Sequence, residues 1–117
     1  MSYGFSKKER LLKRSDFARV SKLGTRLSTK HFLVLVASGP GLGHHRLGIT
    51  VGRHVGGAVF RNRIKRLVRE YFRLNKREIL PDSISTGADI VVIAKAGCPY
   101  LKLDDVTGEL EACWPKL

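Results

Sequence analysis

Residues 58 to about 76 constrain the fold more than any other stretch of this chain. Phe60, Ile64, Leu67, Val68, Tyr71 and Leu74 fall there on one face, at the i, i+4, i+7, i+8, i+11 spacing of a helix that faces a core. The remaining arc carries Arg61, Asn62, Lys65, Arg66, Arg69, Arg73 and Lys76. A helix with one apolar stripe is held mainly by packing that stripe against another element, so the rest of the sequence must supply a surface to receive it.

Strands supply that surface. Residues 31–37 are a dense β-branched and aromatic run closed by Gly39-Pro40-Gly41-Leu42-Gly43, and residues 46–51 follow as a second strand. The simplest fit for these two is an antiparallel pair joined by a flexible loop. Gly52 and Gly56-Gly57 then lead into the long helix. Beyond a breaker region at residues 80–87, Asp89-Ile90-Val91-Val92-Ile93-Ala94 is a continuous apolar run of the kind buried on both faces of a sheet.

Two further helices flank these elements. Ser15 has the chemistry of an N-cap, Asp16 complements the dipole in the first turn, Phe17, Val20 and Ser21 share a face, and Gly24 ends the helix. Residues 104–114, with Leu103, Val106, Leu110 and Trp114 at helical spacing, cover the sheet. The order of elements predicts an α/β (α+β) two-layer sandwich, a small mixed sheet with helices. Its β-α-β crossover is right-handed by the general rule. At 117 residues there is one domain, residues 15–117, preceded by a basic flexible arm at residues 1–14.

The charge is concentrated. Lys and Arg number 22 against 10 Asp and Glu, a formal net charge of +12. Residues 1–80 hold 19 of those bases and only 4 of the acids, so a polyanion site belongs to the first two thirds of the chain. No apolar stretch approaches the ~20 residues of a membrane-spanning helix, and the N-terminus lacks the apolar core of a secretory signal. A cytoplasmic location is expected, with no membrane partner.

On the long helix, Arg61, Lys65, Arg69 and Arg73 repeat every ~6 Å along the axis, a cation ladder that can follow a phosphate backbone. An ordinary solvated face interleaves acids with bases, yet only Glu70 interrupts this one before Glu78. The glycines before the helix match no nucleotide-binding fingerprint and read as a tight strand-to-helix turn. His31, His44, His45 and His54 lack the context of metal ligands, and Cys98 and Cys113, in no CxxC pair, read as reduced, partly buried thiols. No constellation of side chains for hydrolysis is visible, and no metal site. Tyr3, Phe17 and Phe32 lie near bases in sequence, which suits either core packing or stacking on single-stranded nucleic acid.

Arg61-Asn62-Arg63-Ile64-Lys65-Arg66-Leu67-Val68-Arg69-Glu70 resembles the RNR signature of the bacterial ribonuclease P protein family. Arg46-Leu47-Gly48-Ile49-Thr50-Val51 resembles the family's preceding strand, and Gly56-Gly57-Ala58-Val59 its lead-in to the signature. Leu11 with Ser15-Asp16-Phe17 is similar to its N-terminal element, and Asp89-Ile90-Val91-Val92-Ile93-Ala94 to its last strand. The resemblance spans roughly residues 9 to 114. It implies a left-handed β-α-β crossover in place of the general rule. It also implies a protein that binds the catalytic RNA of ribonuclease P and the 5′ leader of precursor tRNA, while that RNA, holding Mg2+, hydrolyses the phosphodiester.

By the same resemblance Arg61, Asn62, Arg63, Lys65, Arg66 and Arg69 face the catalytic RNA, and Phe17 and Phe32, with the sheet between them, line the leader cleft. No protein residue is catalytic and no DNA partner is expected. The chain departs from the family at Ser21 and Leu35, where an aromatic residue is common. Two rivals stand beside this reading. A ribosomal-type RNA-binding protein explains the charge but not the matching blocks, and an autonomous nuclease needs catalytic residues that the sequence lacks.

Overall fold

The structure is a computed structural model and describes residues 9–11, 13–39, 45–75 and 87–117. Helix α1 runs Arg14–Leu23. Strands β1 (Thr25–Ser28), β2 (Phe32–Ser38) and β3 (Arg46–Thr50) follow, then helix α2 (Ala58–Leu74), strand β4 (Ala88–Ala94) and helix α3 (Leu103–Glu111). Short 3-10 turns lie at Arg53–Val55, ahead of α2, and at Trp114–Lys116 after α3.

The four strands form one mixed sheet in the order β1-β2-β4-β3. β2 pairs antiparallel with both β1 and β4, for example Val34 with Leu27 and with Val92, whereas β3 runs parallel to β4 with Leu47 beside Ile90. The predicted hairpin of β2 with β3 therefore does not form, because β4 lies between them. Composition explains the insertion. Six of the seven β4 residues are buried, so the centre, with both edges paired and both faces covered, is the position that removes most apolar surface from water. β3 carries Arg46, Gly48 and Thr50 and takes an edge.

That edge is partly covered. The Leu11 N–H donates to the Leu47 carbonyl at 2.9 Å, and Arg10 forms an isolated parallel bridge with Leu47. Leu11 is buried. The chain is thus anchored upstream of the predicted boundary at residue 15, because Leu11 finds an apolar site and an unpaired strand edge together. Residues 1–8 of the predicted arm lie outside the described residues.

Strand alternation sorts the core into two faces. Phe32, Val34 and Val36 of β2 and Ala88, Ile90, Val92 and Ala94 of β4 point to the side where α2 and α3 pack, meeting Ile64, Val68, Tyr71, Phe72, Val106 and Leu110. Leu35, Ala37 and Val91 point the other way, to Leu11 and to Val20 of α1. The α+β class and mixed sheet are as predicted. α2 and α3 cover one face of the sheet and α1 lies on the other, since both faces of an apolar central strand need a cover.

The helix boundaries shift slightly. Lys13, not Ser15, holds the N-cap position of α1, while Asp16 sits in the first turn and Gly24 ends the helix as predicted. A Cβ at Gly24 would meet the carbonyls of Val20 at 2.5 Å and Val36 at 3.1 Å, so only glycine lets the chain pass this close to β2. On α2, Leu74 is exposed and Phe72 is buried, the reverse of the predicted stripe. At ~100° per residue, Leu74 stands about 105° from the centre of the buried sector and Phe72 about 55°. Phe72 is further held by edge-on contacts with Tyr71 and Trp114, at centroid distances of 5.3 and 5.9 Å. β1 is an element that the sequence reading lacks, since its four residues bury only Leu27 and carry almost no periodic signal.

Candidate RNA-binding surface

Helix α2 begins without an acid in its first turn and without a side-chain cap, so its N-terminal N–H groups add positive field to the cations that follow. Asn62 and Arg66 are fully on the solvent side, and Lys65 and Arg69 lie half-buried at its margin. Among the described residues none of Arg61, Lys65, Arg66 and Arg69 is ion-paired. Arg73 differs: it pairs with Glu70, whose carboxyl the guanidinium holds below its usual range. The ladder predicted from Arg61 to Arg73 is therefore neutralised at its C-terminal end.

The other two arginines of the motif are set apart from the open face. Arg61 stands only about 35° from the centre of the buried sector, and its Nε is buried without a hydrogen-bond partner among the described residues. Arg63 turns toward the segment after β4: its Nη2 donates to the Leu101 carbonyl at 2.7 Å, and its guanidinium lies 4.0 Å from the Tyr100 ring centroid. Of the six residues predicted to face RNA, Asn62, Lys65, Arg66 and Arg69 share one outer surface. Lys76 lies outside the described residues.

The predicted aromatic pair does not share a cleft. Phe32 is 0% exposed and packs in the α2/α3 core, so it has no free ring face for a base. Its place on β2, in step with Val34 and Val36, decides this. Phe17 is half-buried on the opposite face of the sheet, on α1, with its ring over β3. A Cβ at Gly48 would stand 2.5 Å from Phe17 Cζ, so the missing side chain is what lets the ring settle there. Beyond α1 that same sheet face presents Leu33 and Ile93, half-buried, with Arg26 and Ser28 exposed on β1. Lys95 closes it, its Nζ donating to Ser28 Oγ at 2.5 Å. The period-two pattern of β2 and β4 could have identified Leu33 and Ile93, had their pairing partners been known.

A buried charge cluster seats α1 on this face. Asp89, 1% exposed, accepts hydrogen bonds from Arg46 Nε at 2.8 Å and Nη2 at 2.7 Å, and from Arg19 Nη2. Arg19 also donates to the Ser38 carbonyl at 2.9 Å, and Asp16 lies 3.6 Å from Arg46. The hydrogen bond to Asp89 raises the Arg46 pKa. Because β4 places Asp89 in register with Arg46, its carboxylate ties α1 to β3 and β4, while the Arg19 bond to the Ser38 carbonyl adds the end of β2. No sequence motif announced it.

Glu109, His31 and His45 take part in hydrogen bonds that hold the fold together. His31 Nδ1 lies 2.6 Å from Glu109 Oε2, and Thr29 and the His31 N–H both donate to Oε1 at 2.8 Å. Burial pushes the Glu109 carboxyl up, but these bonds outweigh it and hold the group below its ordinary value. His45 Nδ1 accepts the Ala88 N–H at 3.0 Å, and His44 lies outside the described residues. Cys98 and Cys113 are free and buried, and burial pushes both thiols up, away from the reactive thiolate. Among the described residues no group of three or more His, Cys, Asp or Glu could hold a metal ion, and no helix is long and apolar enough to cross a membrane.

A cationic helix face without paired acids has the charge to attract a polyanion. Known proteins similar in sequence and fold bear on what that partner is. A family model described as Ribonuclease P matches residues 5–117. The chain is 44% identical over 116 residues to the ribonuclease P protein component of Desulforapulum autotrophicum, covering 99% of this chain and 94% of that protein. It superposes on the RNase P protein of Staphylococcus aureus with a TM-score of 0.78 at 34% identity, covering 90% of this chain and 91% of the other. The RNase P protein of Thermotoga maritima gives a TM-score of 0.78 at 35% identity, covering 93% and 97%.

Proposed function

This chain belongs to the ribonuclease P protein family, the protein component of an endoribonuclease, and we propose that it acts by binding while the RNA subunit performs the hydrolysis. The observation that carries the proposal is the outer surface of α2, where Asn62, Lys65, Arg66 and Arg69 stand without acid partners among the described residues. Cations so placed displace counterions from an RNA backbone, and Asn62 adds hydrogen-bonding capacity for sugar or phosphate. The Mg2+ that the reaction requires belongs to the same proposal, held mainly by the RNA, whose phosphate oxygens are suited to that hard cation. The reaction it supports is in-line attack of water on the phosphodiester that joins leader to tRNA.

The second binding element is the sheet face beside α1. Phe17 offers a half-open ring, Leu33 and Ile93 an apolar floor, and Arg26 and Lys95 the flanking cations. Unpaired nucleotides of a 5′ leader need these features, namely stacking surface beside positive charge. Asp89, Arg19 and Arg46 hold α1 at the distance that leaves this face open. Holding the leader and the catalytic RNA on opposite sides of one rigid sheet would fix the scissile bond relative to the RNA's metal ions, a proximity contribution. Cytoplasmic residence follows from such partners.

Reconstitution of precursor-tRNA cleavage at low Mg2+ with ribonuclease P RNA, with and without the chain, tests the proposal. Stimulation only in the mixture is expected, with no cleavage by RNA-free protein at any Mg2+ concentration. Turnover by the protein alone would return the hydrolysis to the protein. Arg66→Ala should weaken RNA binding and lower the salt slope of log K by about 1. A ribosomal-type role without cleavage predicts RNA binding but no stimulation.

A further inference from the structure

Tyr100 is 67% exposed, the one aromatic ring among the exposed large hydrophobic side chains of the described residues. One ring face is occupied by the Arg63 guanidinium, 4.0 Å from the centroid. That guanidinium is itself held by the Leu101 carbonyl at 2.7 Å, so the plane of the ring is fixed by a group that is fixed in turn. The exposure of the residue leaves the second face open.

The surroundings are cationic. Arg66, exposed on α2, is three residues from Arg63 and hence its neighbour on the helix surface, and Lys102 is exposed two residues after the ring. The nearest acids in sequence, Asp104 and Asp105, belong to the first turn of α3, where the Asp105 carboxylate accepts the Lys102 N–H at 2.8 Å, and Glu70, one turn beyond Arg66, is paired with Arg73.

We propose that Tyr100 is a stacking platform for an unpaired base of ribonuclease P RNA, extending the α2 surface by a base contact at its Arg63 edge. The proposal rests on α2 being the RNA-binding face. A base laid on the open face completes a base, tyrosine, guanidinium stack in which the cation polarises the ring from behind. Because the ring is already oriented, little side-chain freedom is lost on binding. An RNA base fits this site better than a protein side chain, since the platform is continuous with a row of phosphate-binding cations and every base has a π-face.

The test is a titration of ribonuclease P RNA against the wild-type chain, Y100A, Y100L, Y100F and Y100W, with R66A alongside at the same salt concentration. Y100A and Y100L should each bind roughly tenfold more weakly with unchanged melting temperature, whereas Y100F and Y100W should stay within about twofold of wild type. In Y100W the added indole emission should be quenched by RNA, against the constant background of the buried Trp114. Full affinity in Y100L would assign Tyr100 to packing and overturn the proposal, as would unquenched emission from Y100W. If R66A weakens binding and Y100A does not, stacking alone fails. If both bind as wild type, the α2 face is not the RNA site and the proposal falls with it.

Discussion

Gly48→Ala probes how closely α1 is seated on the sheet. The added Cβ would stand 2.5 and 2.7 Å from Phe17 Cζ and Cε1, and 3.3 Å from the Leu11 Cβ. Ordinary carbon contacts need about 3.5–4.0 Å, so the ring must withdraw by about 1 Å. It has no easy path: Leu11 is buried beside it, and α1 is tied to β4 through Arg19 and Asp89. Overpacking of this kind costs about 1–3 kcal/mol. Against it stands a gain of about 0.4–1 kcal/mol from a less flexible unfolded chain, available because Gly48 does not have a positive φ. The balance is a loss of about 0–2.6 kcal/mol, with its middle a little above 1 kcal/mol. Gly108→Ala is the internal control. It lies within α3 with nothing within 4 Å of the added Cβ, and should gain about 0.5–1 kcal/mol. Urea unfolding of both variants at constant m-value makes the comparison. A Gly48→Ala protein as stabilised as Gly108→Ala would refute the close seating of Phe17 on β3. If Phe17 also stacks on the leader, Gly48→Ala lowers the ratio of precursor to mature tRNA affinity.

Asp89→Ala removes the carboxylate shared by Arg46 and Arg19 and leaves the Arg46 side chain, 16% exposed, without its bidentate partner; a loss of about 3 kcal/mol in denaturant unfolding is expected, and a loss below about 1 kcal/mol would show that the cluster is dispensable. Phe32→Ala should cost about 3–5 kcal/mol of stability with no selective effect on precursor tRNA. Phe17→Ala should instead lower the precursor-to-mature affinity ratio by about 1–3 kcal/mol, and an unchanged ratio would remove Phe17 from the leader site. Tyr71→Phe leaves the buried Trp114 Nε1 without its 2.7 Å acceptor and should cost about 1–3 kcal/mol at neutral pH. Burial pushes the Tyr71 phenol from 10.0 up to about 12, so the folded state keeps a proton that the unfolded state loses. Its contribution is complete below pH 10 and disappears as pH rises to about 12, and Tyr71→Phe should abolish that alkaline slope. An identical slope in the variant would place the titrating group elsewhere.

Local pattern was enough to determine the elements that matter most to function. The α2 helix, its stripe of Ile64, Val68 and Tyr71, and its surface of Asn62, Lys65, Arg66 and Arg69 follow from periodicity, because burial on a helix repeats every few residues and leaves its mark in one segment. The wholly apolar β4 followed in the same way. Other features depend on residues far apart in sequence, and these only the tertiary structure decided. Which strand neighbours β2, on which sheet face Phe32 and Phe17 fall, and where Arg63 turns are settled by register, and register is a property of two segments together. Asp89 looked like the polar start of a strand until pairing set it beside Arg46 and within reach of Arg19, 43 and 70 residues away. Phe72 was hidden among the bases of α2, since its burial depends on Trp114 arriving from the end of the chain. Periodicity records which side of an element is wet, and only packing selects the groups that meet on the dry side.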